Sequence, residues 1–413
     1  MVGNKQIMKI LVVSRSVFSN NPQSIRFRSF IEVWKKNHDI SLLTFEDNTP
    51  KKINTSVKGI KITTIKKNKI SRLITTSLIQ IKSKSEVKGN IKLFKKLASK
   101  IRFRKFFFPD VYVFTLKRLK KKLDIMVSNN NYNIIIVSAF PFSFQSLGFF
   151  LKKKVNKKTI IIYDTGDPFY GNSSRISQGL LHKFFSKYYE IFFLPHFDYI
   201  IVASQIMKEH YIYKTNISIE RENIFVIPQG IYASGFEKPV AYEKVIKREN
   251  ISRLIYAGNF YKELREPFQF YNAVNLIKNI EVNIYGNISN YFKIKNDNIT
   301  FHGIIDYSQV IKQYMLNDIV VFFDNNIGIQ IPGKVYEILS LNKPILFIYS
   351  NPKSPTIKIV EDYDFVFLVK NETESIKLKI LDIMNFKGSF NYNFQIGNYS
   401  WLTLANEYLD SIK

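Results

Sequence analysis

The chain has 413 residues, 46% hydrophobic and 23% charged, which suits two or three globular domains and excludes wholesale disorder. It contains no cysteine, which excludes disulfide frameworks and thiolate metal sites and fits a reducing compartment. A net charge of +28 calls for an anionic partner: a nucleic acid, a membrane face or an anionic substrate.

No leader pattern is read at the N-terminus, where the apolar run 8–13 is too short for one. No run of about 18 uncharged apolar residues occurs, so no spanning helix is expected and the cytoplasm is the expected compartment. The charge is concentrated. Between Lys51 and Lys122 stand 23 lysines and arginines against only Glu86 and Asp110, so this stretch supplies +21 of the +28.

In chain order, the aliphatic run 10–13 predicts a buried parallel strand, followed by Ser14-Arg15-Ser16 and the turn cluster Asn20-Asn21-Pro22. Ile25, Phe27, Phe30, Ile31 and Trp34 predict a helix, and 38–44 a second strand. Residues 60–65 alternate like an edge strand, and 91–108 suits a basic amphipathic helix ending in Phe106-Phe107-Phe108-Pro109. Helices are expected at 111–129, around Phe144, Leu147 and Phe150, and at 180–194, with strands at 134–137, 159–163, 199–202 and 223–227. The polar, aperiodic stretch 232–250 reads as a linker.

Alternation then restarts. Strands are expected at 254–257, 281–285, 299–301, 318–323, 344–349 and 365–369, and helices at 266–277, 308–316 and from Pro332. Trp401, Leu404 and Tyr408 share one side of a final helix. Two sets of alternating β and α elements predict an α/β protein of two doubly wound, Rossmann-like domains facing across a cleft. The expected domains are 1–232, with a basic insertion at about 47–109, and 233–395, with 396–413 as a helix returning to the first.

In such sheets ligands sit beyond the carboxyl ends of the strands. Pro332 is tolerated in a first helical turn, Gly333 lets backbone amides approach a ligand, and Glu337 one turn on can accept hydrogen bonds from a diol. Gly258 and Asn259 at a strand end, with Lys262 and Arg265 following, form either a phosphate-binding arrangement or an exposed loop with ordinary charges. Asp164 and Asp167 at another strand tip are a general base, a metal site or helix caps. The five histidines form no zinc-binding pattern, and no Walker, GxGxxG or GxSxG motif occurs. No nucleic-acid motif accompanies the basic segment, so no nucleic acid is expected as a partner.

The order of these elements resembles the GT-B retaining glycosyltransferases of family 4, the bacterial surface-polysaccharide transferases among them. In the C-terminal half the likeness runs from Leu254-Ile255-Tyr256-Ala257-Gly258-Asn259 through Ile284-Tyr285-Gly286 and His302-Gly303 to Pro332-Gly333-Lys334-Val335-Tyr336-Glu337 and Lys343-Pro344. In the N-terminal half it rests on the opening strand, the helix holding Arg26, Phe108-Pro109-Asp110, Ser138-Ala139-Phe140-Pro141, 164–168 and Ile227-Pro228-Gln229-Gly230.

The resemblance implies a nucleotide-sugar donor on the second domain and a lipid-linked or polysaccharide acceptor on the first. Glu337 matches the ribose-binding glutamate. Arg265 and Lys334 fall where the family neutralises the diphosphate, with Gly258, Asn259, Gly286, Pro332 and Gly333 around them. Asp164 and Asp167 fall in the catalytic loop, and Arg15, Ser138 and Phe140 on the acceptor side. The resemblance implies a hexosyltransferase-like enzyme that needs neither cofactor nor metal. Segment 51–122 then reads as contact with an anionic membrane surface, making the enzyme peripheral at the inner face of the plasma membrane. Three positions depart from the pattern: Ile329 replaces a glutamate, Asn20-Asn21-Pro22 replaces a glycine pair, and no histidine stands in the 164–167 loop. A GT-B sugar-nucleotide epimerase, a non-catalytic GT-B scaffold and a charge-driven nucleic-acid binder are the competing readings.

Overall fold

Uninterrupted aliphatic runs flanked by amphipathic helices form parallel sheets buried on both faces. The computed structural model describes residues 6–19, 21–46, 58–69, 71–72, 107–172, 179–231, 251–326, 329–386 and 389–412. All but the last two residues of the expected helix 91–108, the linker 232–250 and Gly328 lie outside them. The chain divides into one unit of Met1–Gln229 with Leu404–Lys413 and another of Gly230–Thr403.

The first unit holds strands β1 (Lys9–Val13), β2 (Asp39–Phe45), β3 (Lys61–Ile65), β4 (Ile134–Ser138), β5 (Ile160–Thr165), β6 (Tyr199–Val202) and β7 (Ile224–Val226). They form one parallel sheet in the order β3-β2-β1-β4-β5-β6-β7. The direction of winding reverses between β1 and β4, the place where doubly wound sheets open a crevice. The register Val13↔Val137 and Ser138↔Asp164 brings the carboxyl ends of β1, β4 and β5 level.

The first helix, Pro22–Trp34, starts before the first periodic apolar residue, Ile25, because the Asn21 side chain accepts from Ser24 N and Pro22 fits the first turn. It buries Phe27, Phe30, Ile31 and Trp34. The indole N–H of Trp34 donates to Ala405 O at 2.8 Å, and its ring packs edge-on against Tyr408, with centroids 5.2 Å apart. Residues 111–129 form two elements: a 3-10 turn Val111–Thr115 capped by Asp110, then the α-helix Leu116–Asn129. The short helix Gln205–Glu209, extended by a π turn to Thr215, carries little apolar periodicity and was not anticipated.

The second unit has β8 (Ser252–Ala257), β9 (Ile280–Tyr285), β10 (Ile299–Gly303), β11 (Ile319–Phe323), β12 (Ile345–Tyr349) and β13 (Val366–Lys370), parallel in the order β10-β9-β8-β11-β12-β13. The helix Thr373–Asn385 went unread in the sequence although Ile376, Ile380 and Ile383 mark its buried face. Among the described residues no helix is long and apolar enough to cross a membrane.

Candidate functional site

In the second unit the loops after β8, β9 and β10 are stitched together at the carboxyl edge of the sheet. Gly258 N donates to Tyr285 O at 2.9 Å, Gly286 N to Gly303 O at 2.7 Å, and Asn287 N to the Asn259 side chain at 2.9 Å. Gly286 has φ +141°, and a Cβ there would lie 2.0 Å from Gly258 O, so only glycine fits. Tyr285 stacks on His302 with centroids 4.5 Å apart. A cavity of about 290 Å³ opens beside them, lined by Gly286, Asn287, Ile288, Lys293, Phe301 and Ile304 among others.

Across the switch between β8 and β11 stand the charged groups. Arg265 donates through Nη2 to Asn325 Oδ1 at 2.7 Å, and its Nε is buried without a hydrogen-bond partner. Lys334 donates its ammonium to Ala257 O, at 2.8 Å. Burial lowers the Lys334 pKa; Glu337 nearby opposes that and Arg265 reinforces it, so the three groups share one electrostatic neighbourhood. Glu337 is 9% exposed, and its Oε1 is buried with no hydrogen-bond partner. Burial raises its pKa against the pull of Lys334.

Pro332 is not in the helix: the α-helix is Lys334–Leu339, with Gly333 as its N-cap and Val335 N closing onto Pro332 O. A helix of six residues has a small dipole, so the positive character here comes from the two cationic side chains. The sequence reading missed Asp324. It directly follows β11 and is 5% exposed. Its pKa is raised by burial, with Ser354 and Thr356 favouring the charged form. The signal for it is an acid immediately after an unbroken apolar strand.

In the first unit Arg15 and Phe140 do come together, with the guanidinium 4.9 Å from the ring centroid; the Phe140–Pro141 bond is cis and Phe140 is 39% exposed. Ser138 is fully buried and its hydroxyl has no partner. The two aspartates part company. Asp167 is exposed. Asp164 is fully buried, its carboxylate gripped by Arg26 at 3.1–3.2 Å, with Arg26 Nη1 donating to Pro228 O at 2.7 Å. The pairing gives Asp164 a structural part, tying the first helix to the tip of β5.

Beneath the 166–172 loop lies Glu190, also missed. Its two oxygens accept the backbone N–H groups of Phe169 (2.7 Å) and Tyr170 (3.2 Å), and burial raises its pKa to about 8. It is the one acid of its aromatic helix. Among the described residues no cluster of three or more His, Asp or Glu could hold a metal.

In sequence, no family model and no curated protein matches this chain. In structure the likenesses span it end to end. The lipopolysaccharide outer core galactosyltransferase WaaB superposes with a TM-score of 0.61 at 13% identity, over 98% of this chain and 99% of that one. A sucrose-phosphate synthase from Thermosynechococcus elongatus gives 0.66 at 14%, over 98% of both chains. Anabaena HepE in complex with UDP and glucose gives 0.62 at 10%, over 98% and 99%. A putative UDP-N-acetylglucosamine 2-epimerase from Listeria monocytogenes gives 0.56 at 11%, over 99% and 96%. The chain therefore has the GT-B fold, two doubly wound parallel sheets of seven and six strands. At these identities the likeness establishes the fold and leaves the activity to be argued from the residues.

Proposed function

We propose that this chain is a glycosyltransferase that moves a sugar from a nucleoside diphosphate donor to a lipid-linked or surface-polysaccharide acceptor. The observation that carries the reading is the grouping of Lys334, bonded to Ala257 O beside Gly258, with Arg265 and the carboxylate of Glu337, whose Oε1 has no partner. In this reading Arg265 and the two remaining donors of Lys334 bind diphosphate oxygens, and Glu337 accepts from the ribose hydroxyls. The cavity beside Gly286, with Ile288, Phe301 and Ile304 in its walls, receives the base. The bond from the anomeric carbon to the diphosphate breaks as an acceptor hydroxyl takes its place with retained configuration, its proton passing to an oxygen of the departing diphosphate. The two cations stabilise the leaving charge in place of a metal.

Arg15 and Phe140 in the first unit are read as acceptor contacts. The charge of 51–122 is read as contact with the anionic inner face of the plasma membrane. The fold likeness to a putative epimerase favours a second reading, in which the same donor site serves a sugar-nucleotide epimerase.

Screening UDP, GDP, ADP and CMP for thermal stabilisation tests the site. A ligand at a hundred times its Kd stabilises the folded state by about 2.7 kcal/mol. A diphosphate that raises the midpoint in the parent protein but not in Glu337→Ala supports the site; no stabilisation by any of them refutes it. Incubating the matching nucleotide-sugar without acceptor then separates the two readings, since an epimerase converts it and a transferase does not.

A further inference from the structure

Helix Gly179–Phe193 reverses the usual arrangement of a helix on a sheet. Its buried side chains are polar, Ser186 and Glu190. Its outward side carries Leu180 (85% exposed), Leu181 (76%), Phe184 (55%), Phe185 (54%), Tyr188 (53%) and Phe192 (58%). Leu180, Phe184, Tyr188 and Phe192 recur every four residues, so they form one stripe about 18 Å long at the rise of an α-helix. Phe184 and Tyr188 pack together, with centroids 4.4 Å apart. Scattered exposed apolar residues are ordinary on a protein surface; a continuous aromatic stripe is not.

The fringe of the stripe is basic. Lys183 is exposed and Lys187 half-buried on the helix itself. Lys153 sits 4.0 Å from the Phe149 ring centroid, and Phe149 lies 6.2 Å from Phe192. The helix's one acid, Glu190, is fully buried and faces the fold. An apolar stripe bordered by lysines, in a chain of net charge +28, complements a surface that is apolar inside and negatively charged outside.

We infer that this helix is a docking element for an anionic lipid bilayer, lying in the plane of the headgroups with Phe184, Tyr188 and Phe192 among the acyl chains and Lys153, Lys183 and Lys187 on the phosphates. The inference rests on the proposal that the protein works at a membrane, and adds to it a contact of different physics. Attraction of the 51–122 charges to a bilayer fades with salt, because the screening length falls to about 3 Å at 1 M. Apolar insertion persists there.

The test is flotation with phosphatidylcholine–phosphatidylglycerol vesicles at 0.1 and 1 M salt. The parent protein is compared with Phe184→Ser/Phe192→Ser and with Lys82→Gln/Lys84→Gln/Lys88→Gln. The serine variant should lose at least tenfold in vesicle affinity at 1 M salt, while the glutamine variant weakens only at 0.1 M. A second readout follows depth directly. Trp34 and Trp401 are only 2% and 5% exposed, so in Phe184→Trp the emission that shifts to the blue on vesicles, and is quenched by acyl-brominated lipid, is that of the new indole.

Unchanged affinity of the serine variant, or a Phe184→Trp emission that vesicles do not move while the protein floats, overturns the inference. So does loss of a concentration-dependent dimer in the serine variant, which would make the stripe a protein contact. Absence of flotation by any form at either salt removes both the membrane reading and this helix's part in it. Donor binding by the second unit is measured separately and is not touched by that outcome.

Discussion

Arg26 and Asp164 form a buried two-point ion pair that ties the first helix to the tip of β5. Arg26 Nε stands 3.2 Å from both carboxylate oxygens and Nη2 3.1 Å from Oδ2, with the side chains 5% and 1% exposed. Burial raises the Asp164 pKa and Arg26 opposes it. Removing one partner leaves a desolvated charge, so Arg26→Ala should destabilise the first unit by about 3–5 kcal/mol in denaturant titrations. Asp164→Asn should likewise lower stability yet retain turnover per folded molecule. A folded Asp164→Asn protein with no turnover would support the catalytic assignment.

For the donor site, Arg265→Ala should weaken nucleoside diphosphates more than the corresponding nucleoside. Loss of hydrogen bonds to a charged group, about 1.5–3 kcal/mol, corresponds to roughly 10–150-fold in Kd. Calorimetric titration of both ligands checks this prediction, and equal losses for the two would remove Arg265 from the diphosphate. Glu337→Ala should cost a similar factor for the nucleoside itself, because its assigned partner is the ribose.

Gly286 offers a steric test. With φ at +141° and Gly258 O 2.0 Å from where a Cβ would stand, Gly286→Ala must separate the loops after β8 and β9. Residues forced into such backbone regions cost about 1–3 kcal/mol. We expect a lowered melting temperature for the second unit together with loss of nucleotide binding. An alanine variant that melts and binds like the parent would show that the two loops are not held as described.

Glu190 predicts a pH dependence. Its folded-state pKa is raised from 4.5 to about 8 by burial, so the folded protein holds its proton where the unfolded chain has released it. This contribution is fully present below about pH 4.5 and is lost as pH rises to about 8. Glu190→Gln cannot titrate, so the drop in stability between pH 6 and pH 8.5 should be smaller than in the parent. Parallel stability–pH curves for the two proteins would exclude Glu190 as the source.

Much of this was legible in the sequence, for reasons that differ from element to element. The strands were readable because parallel strands buried on both faces are continuous aliphatic runs, as in Ile134-Ile135-Ile136-Val137. Gly258 stood out because it directly follows such a run, and Arg265 and Glu337 because they lie in the segments that follow β8 and β11. Helix Thr373–Asn385 was not, since its threonine, serine, lysine and acidic residues hide a stripe of three isoleucines. The pairing of Asp164 with Arg26 was not readable, because the two lie 138 residues apart, a distance that local pattern cannot bridge. The exposed side of Gly179–Phe193 was invisible for a related reason: aromatic periodicity marks a helix, and only packing reveals which way it faces.

The last helix carries a consequence for synthesis. Residues Leu404–Lys413 belong with Met1–Gln229, so the second unit is inserted, in sequence, within the first. A nascent chain leaving the ribosome has made all seven strands of the first sheet long before it makes Tyr408, against which Phe30 and Trp34 pack. The unit begun first is thus completed last. Until Tyr408 has been made, the faces of Phe30 and Trp34 that it covers wait open, a natural place for a chaperone to hold.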